Sequence, residues 1–189
     1  MGISTAWPVS GKKLCQYYIP RVITPEALAP FRIAQSLRPA NDPRPLPYLT
    51  SDNDQKNGAF DLLPEVFIRS EKMRRSGMDM YRLGVSNSKY MYWTVAQMVA
   101  HHTCNGCNLQ VGDLFGTGTV SGTDRHSCGS LLEMTDGGKN PLVLPSGEER
   151  RFLEDGDEIT LVARSENAFH ASIGFGECRA IIEPAKKYR

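Results

Sequence analysis

The chain has 189 residues, enough for one sizeable hydrophobic core and within the usual range of a single domain. Its 22 basic and 21 acidic residues leave a formal charge of +1, which excludes a bulk electrostatic pull toward nucleic acid or anionic membrane. No run approaches the roughly 18 consecutive apolar residues of a membrane span. Met1-Gly2-Ile3-Ser4-Thr5-Ala6-Trp7 lacks a basic region followed by an apolar stretch, so no secretory signal is expected. Five cysteines cannot all pair, and the expectation is a cytoplasmic protein with free thiols.

In chain order, the first twenty residues have no clear period. Residues 21–65 are punctuated by prolines from Pro25 to Pro64, as in a segment that crosses a surface, because proline cannot donate to a sheet ladder. Val66-Phe67-Ile68-Arg69 predicts a short strand, and Asp79 to Val85 a second. Asn87-Ser88-Lys89 opens the one expected helix. Asn87 or Ser88 would cap it, and Met91, Val95, Met98 and Val99 recur at helical spacing. Cys104-Asn105-Gly106 ends it, since asparagine and glycine tolerate the left-handed conformation.

Beyond the helix the pattern is strands and tight turns. Asp113 to Val120 predicts a Gly- and Thr-rich strand, and Leu142-Val143-Leu144 a strand before the turn Pro145-Ser146-Gly147. Glu158 to Ala163 alternates well after the turn signal Asp155-Gly156-Asp157, and Ala171 to Ile182 is the last strand. The fold class expected is α+β and β-rich, with one main helix.

Three groups of residues invite a chemical reading. His101-His102-Thr103-Cys104-Asn105-Gly106-Cys107 crowds four possible metal ligands together. A structural zinc site would bring a second Cys or His pair from elsewhere, and none is evident, so helix-end packing with incidental thiols is expected. Gly116-Thr117-Gly118-Thr119-Val120-Ser121-Gly122 lacks the Gly-Lys-Ser/Thr ending of a phosphate loop; it suits either a plain sheet segment or close approach of a small ligand. Glu133, within Ser130-Leu131-Leu132-Glu133-Met134, is an acid among apolar residues. It is either salt-bridged or the orienting partner of a catalytic base. Gly156-Asp157-Glu158 reads as a turn and Lys186-Lys187-Tyr188-Arg189 as a solvated tail.

Several strings together resemble the fumarylacetoacetase family. They include Asp42-Pro43-Arg44-Pro45-Leu46-Pro47-Tyr48-Leu49, Lys89-Tyr90-Met91-Tyr92-Trp93-Thr94 and Asn105-Gly106-Cys107-Asn108-Leu109. Gly112-Asp113-Leu114, Gly118-Thr119-Val120-Ser121-Gly122, Gly129-Ser130-Leu131-Leu132-Glu133, Phe152 to Glu158 and Ile173-Gly174-Phe175-Gly176-Glu177-Cys178 complete the series. The match runs from about Val22 to Pro184. It implies that residues 21–189 are the carboxyl-terminal part of a catalytic domain built as a mixed β-roll, usually homodimeric. The implied reaction cleaves the carbon–carbon bond of 4-fumarylacetoacetate to fumarate and acetoacetate, in tyrosine and phenylalanine catabolism.

In the family's chemistry the diketone substrate chelates a divalent Ca2+ or Mg2+ held by carboxylates, and a histidine oriented by a glutamate activates the attacking water. The resemblance makes Glu133 that glutamate. It makes Thr119, fourteen residues earlier, the threonine that hydrogen-bonds the substrate carboxylate. The metal-binding acids, the catalytic histidine and the arginine, glutamine and tyrosine of the pocket have no match here, so no metal ligand is expected in this chain. His101 and His102 match a family His-His pair on the helix, so they are not the missing base. Thr123 to Cys128 departs from the family's acidic, proline-containing turn.

Residues 1–20 do not resemble the family segment that precedes Val22. They are nonetheless encodable by codons that spell that segment one nucleotide later: TGG CCC GTT TCT GGC AAA AAA CTT TGC for Trp7 to Cys15 shifts to G-P-F-L-A-K-N-F. The expectation is an out-of-frame leader on an inactive fragment. The alternative is a non-catalytic β-rich binding or subunit-interaction module that retains only the fold.

Overall fold

A computed structural model describes residues 22–185; the expectations for residues 1–20 and for the basic ending at 186–189 lie outside the described residues. In chain order the elements begin with α1 (Pro25–Leu28), β1 (Arg32–Ile33), α2 (Asp52–Asn57) and β2 (Ala59–Phe60). Next come β3 (Leu63–Arg69), α3 (Glu71–Arg75), β4 (Tyr81–Val85), α4 (Val95–Thr103) and α5 (Leu131–Met134). The chain then forms β5 (Leu142–Val143), β6 (Glu149–Arg150), β7 (Glu158–Asn167) and β8 (His170–Ile181). The main sheet is antiparallel in the order β4-β3-β7-β8, and β1 with β2 and β5 with β6 form small two-stranded sheets. The architecture is α+β. Among the described residues no helix is long and apolar enough to cross a membrane.

Two expectations need correction. The helix does not start at Asn87 or Ser88: Asn87 caps a separate 3-10 turn, Ser88–Tyr90. Thr94 caps α4 through a reciprocal box, its hydroxyl accepting the Gln97 N–H while the Gln97 side chain accepts the Thr94 N–H. Gln97 is buried and its amide also donates to the Leu49 carbonyl at 2.9 Å, so the cap doubles as a tertiary tie. Nor does Asp113 to Val120 form a strand. Gly112 and Gly118 adopt positive φ, which breaks the extended backbone that a ladder requires.

The main sheet has two unlike faces. Val66 and Ile68 of β3 and Ile159 of β7 point to one side, where they join Met73, Leu83, Met134 and Leu144 in a small apolar core. Successive residues alternate sides, so Glu65, Arg69, Glu158 and Thr160 lie on the other. That side is ionic. Glu65 is buried and meets Arg82 at 3.1 Å and Arg164 at 3.5 Å. Glu158 is buried and meets Arg69 at 2.8 Å, Arg74 at 3.9 Å and Arg179 in close contact. Asp157, fully buried, receives Arg150 Nε at 2.9 Å and Nη2 at 3.0 Å and the Glu154 N–H at 2.9 Å. The expected turn is there, at Asp155 and Gly156, but the two acids that follow it are structural anchors.

Burial pushes the Glu158 carboxyl up, and the hydrogen bonds and charges of Arg69 and Arg179 outweigh that, leaving it below its ordinary value of 4.5. A depressed carboxyl contributes stability above the unfolded value, and that contribution is lost as pH falls through the folded value. Glu158→Gln should therefore lower stability at neutral pH and flatten its fall on acidification below about pH 4.5 in denaturant titrations. Asp157→Ala removes the buried carboxylate that Arg150 grips with two nitrogens and leaves the guanidinium Glu148 at 3.2 Å and Glu154 at 3.3 Å, so chemical denaturation should show a loss of roughly 1–3 kcal/mol.

Candidate active site

The two residues singled out in the sequence line one cavity of about 310 Å³. Thr117, Thr119, Ser121 and Glu133 line it together with an aromatic wall of Tyr90, Tyr92 and Trp93. Close approach of three segments makes the cavity possible. A Cβ on Gly84 of β4 would meet the His126 carbonyl oxygen at 2.9 Å and Met134 Cε at 2.7 Å, so only glycine lets the 126–128 backbone and α5 settle on the sheet. A Cβ on Gly129 would meet the Val120 carbonyl oxygen and Thr119 Cγ2, both at 2.6 Å, so glycine again lets the Thr119 segment lie against the start of α5.

Between those contacts the Thr123 to Cys128 turn closes on itself. Asp124 Oδ1 accepts the His126 N–H at 2.8 Å and the Ser127 N–H at 3.1 Å, and the Ser127 hydroxyl donates to the Asp124 carbonyl at 2.9 Å. Arg125 Nε reaches over to the Met134 carbonyl at 3.0 Å and ties the turn to the end of α5.

Among the described residues Glu133 has no salt-bridge partner. The Ser121 hydroxyl donates a shared bond to Oε1 at 2.8 Å and Oε2 at 2.9 Å, and the Ser130 hydroxyl donates to Oε2 at 2.8 Å. Ser130 also caps α5, accepting the Glu133 N–H at 3.3 Å, and Ser121 accepts the Gly129 N–H at 3.1 Å. The Ser130 hydroxyl first and the Ser121 hydroxyl second hold the Glu133 carboxyl below its ordinary value, against a smaller opposing push from burial. The result is an ionised acceptor in fixed orientation, suited to holding an N–H or O–H donor across the cavity. Thr119 is exposed to that same space.

Ser121 and Ser130 are the site residues that sequence reasoning missed. Ser130 had a readable signal, since Ser-x-x-Glu ahead of an apolar run is the signature of a helix start. Ser121, twelve residues from Glu133, had none. The wall has its own support: the Arg38 guanidinium lies 4.3 Å from the Tyr92 ring centre and 4.1 Å from that of Trp93. Those ring faces stand in for hydrogen bonds, which its buried nitrogens lack among the described residues.

The His101 to Cys107 cluster is not brought to this cavity. His101 shares a hydrogen bond with the Tyr48 hydroxyl at 3.0 Å, and His102 Nε2 lies 3.2 Å from Cys107 Sγ. Among the described residues no group of three His, Cys, Asp or Glu side chains could hold a metal ion.

Removing either serine hydroxyl should raise the Glu133 pKa, Ser130→Ala by more than Ser121→Ala. Carboxyl carbon NMR titration reads this directly, and an unmoved Glu133 resonance in both variants would contradict the assignment.

Residues 71–183 match the family described as fumarylacetoacetate (FAA) hydrolase C-terminal. The chain is 41% identical over 182 residues to the fumarylacetoacetase of Dictyostelium discoideum, covering 95% of this chain and 40% of that protein. It is 39% identical over 178 residues to fumarylacetoacetase of Homo sapiens, covering 94% of this chain and 40% of the relative. Against that of Arabidopsis thaliana it is 40% identical over 179 residues, covering 94% and 39%. The chain thus spans about 40% of the length of the curated relatives it matches. Thr119, Ser121, Ser130 and Glu133 all fall inside the matched span. With that match extending over more than half of its residues, the chain belongs to the fumarylacetoacetate hydrolase family.

Proposed function

We propose that the Glu133 cavity is the base-orienting and carboxylate-binding part of a site for cleaving the carbon–carbon bond of 4-fumarylacetoacetate to fumarate and acetoacetate. The observation that carries the reading is the ionised Glu133 carboxylate, fixed by two serine hydroxyls at 2.8 Å, sharing a cavity with Thr119. In this reading Glu133 accepts the N–H of a histidine general base and fixes its tautomer, so that the far nitrogen can take a proton from water. Thr119 donates its hydroxyl to a substrate carboxylate and sets the distance to the reacting carbonyl. The catalytic domain would be a mixed β-roll in a cytoplasmic homodimer.

The residues of this chain fill only part of that scheme. No histidine lines the cavity, and Glu133 is its one carboxylate among the lining residues. A divalent Ca2+ or Mg2+ of the kind the resemblance implies does not fit the described residues, which include no group of three ligands able to hold it. The chain alone is accordingly proposed to be inactive.

General base catalysis is typically worth about 10²–10⁴-fold, and groups that act as a unit lose nearly all their effect when one is missing. The purified chain should therefore leave the ultraviolet absorbance of fumarylacetoacetate unchanged, with or without added calcium or magnesium. A chimera carrying the preceding segment of the Homo sapiens relative should turn over. Glu133→Gln in that chimera should lower kcat by about 10²-fold or more with little change in KM. Turnover by the chain alone that Glu133→Gln abolishes would show that it supplies its own base and overturn the reading.

A further inference from the structure

The function proposed above leaves one chemically competent pair unused. At the carboxyl end of α4, His102 Nε2 sits 3.2 Å from Cys107 Sγ, within reach of a direct proton transfer from thiol to imidazole. The local backbone builds this pair. Gly106, at φ +85°, reverses the chain after the helix, and the Asn105 side chain accepts the Cys107 N–H at 3.1 Å. Cys107 is thereby turned back onto the last turn of α4. The imidazole also packs against Phe115, the two rings meeting nearly at right angles with centres 4.9 Å apart. Both members are only partly buried, so a small reagent can reach the sulfur.

Two other described thiols have different surroundings. Cys104 is exposed and donates to the His101 carbonyl at 3.0 Å, with the Tyr48 hydroxyl as a further neighbour and no imidazole nitrogen on its sulfur among the described residues. Cys128 is pushed up first by burial and then by the negative charges of Glu133 and Asp124, which keeps it protonated. Metal binding does not account for the cluster, since no three ligands converge among the described residues.

We propose that Cys107 is a covalent modification site for electron-poor alkenes conjugated to a carbonyl, with His102 as its proton acceptor. The addition balances without a co-reactant. The sulfur electron pair forms an S–C bond to the β-carbon and the alkene π pair moves to the α-carbon. The proton from Sγ–H passes through His102 Nε2 to that α-carbon.

The test treats the intact chain with limiting N-ethylmaleimide at neutral pH and resolves each cysteine by fragmentation mass spectrometry. Exposure alone would favour Cys104. The expected result is the reverse: Cys107 reacts about tenfold faster than Cys104, and Cys128 more slowly than both. His102→Gln should bring the Cys107 rate down by about tenfold while the Cys104 rate stays as it was. Strong guanidinium chloride should bring the Cys107-to-Cys104 ratio of the unmutated chain to about one, a control that needs no variant. Equal rates in the native chain, a Cys107 rate indifferent to His102→Gln, or a ratio unchanged by unfolding would each overturn the proposal.

Discussion

A single carboxylate holds the main sheet in register. Glu158, buried at the start of β7, receives guanidinium groups from Arg69 on β3 and Arg179 on β8, with Arg74 of α3 close by. Each strand that flanks β7 is fastened to the same side chain. A buried charge without partners costs several kcal/mol, so the sheet can seat Glu158 only when the strands align their arginines with it. A one-residue slip of β3 or β8 would carry the arginine to the opposite face and leave the carboxylate unpaired. Apolar packing alone would specify this register less well, because the core cluster is small: Ile68, Met73, Leu83, Met134 and Leu144.

The ionic face and the cavity are coupled through the strands they share. Ile159, next to Glu158, packs against the core that also holds Met134. Met134 ends α5, the short helix that carries Glu133. Glu133 is thus placed by a helix with one face on the sheet, while its own side chain points away from the core into the cavity. The position also explains why the acid needs serines. Exposed and without a salt-bridge partner among the described residues, its carboxylate is fixed by hydroxyl donors instead, which orient it without neutralising its charge.

How much of this the sequence discloses depends on how far apart the cooperating residues lie. β7 and β8 were legible because alternation and the Asp155-Gly156 turn are local signals. The start of α4 was misread because Asn87-Ser88 and Thr94-x-x-Gln97 both look like caps. The second wins because Gln97 also reaches Leu49, a contact 48 residues away that no window shows. Glycine and threonine from Asp113 to Val120 suggested a strand, but positive φ at Gly118 turns the segment into a cavity edge. The anchoring role of Glu158 was hidden for the same reason: it finds Arg69 across 89 positions. Thr119 and Glu133 came from motif resemblance, and the serines that serve Glu133 did not.

Gly84 has a consequence for how the site tolerates change. There the sheet offers bare backbone to the carbonyls of His126 and Cys128, and the turn above is closed by its own Asp124 and Ser127. Thr123 and His126 are exposed and take no part in seating it through their side chains. The turn behaves as an interchangeable fitting. Substitutions at those exposed positions should leave α5 at its present height above the sheet. One methyl group added at position 84 would do what several changes in the turn do not, by lifting the helix and Glu133 with it.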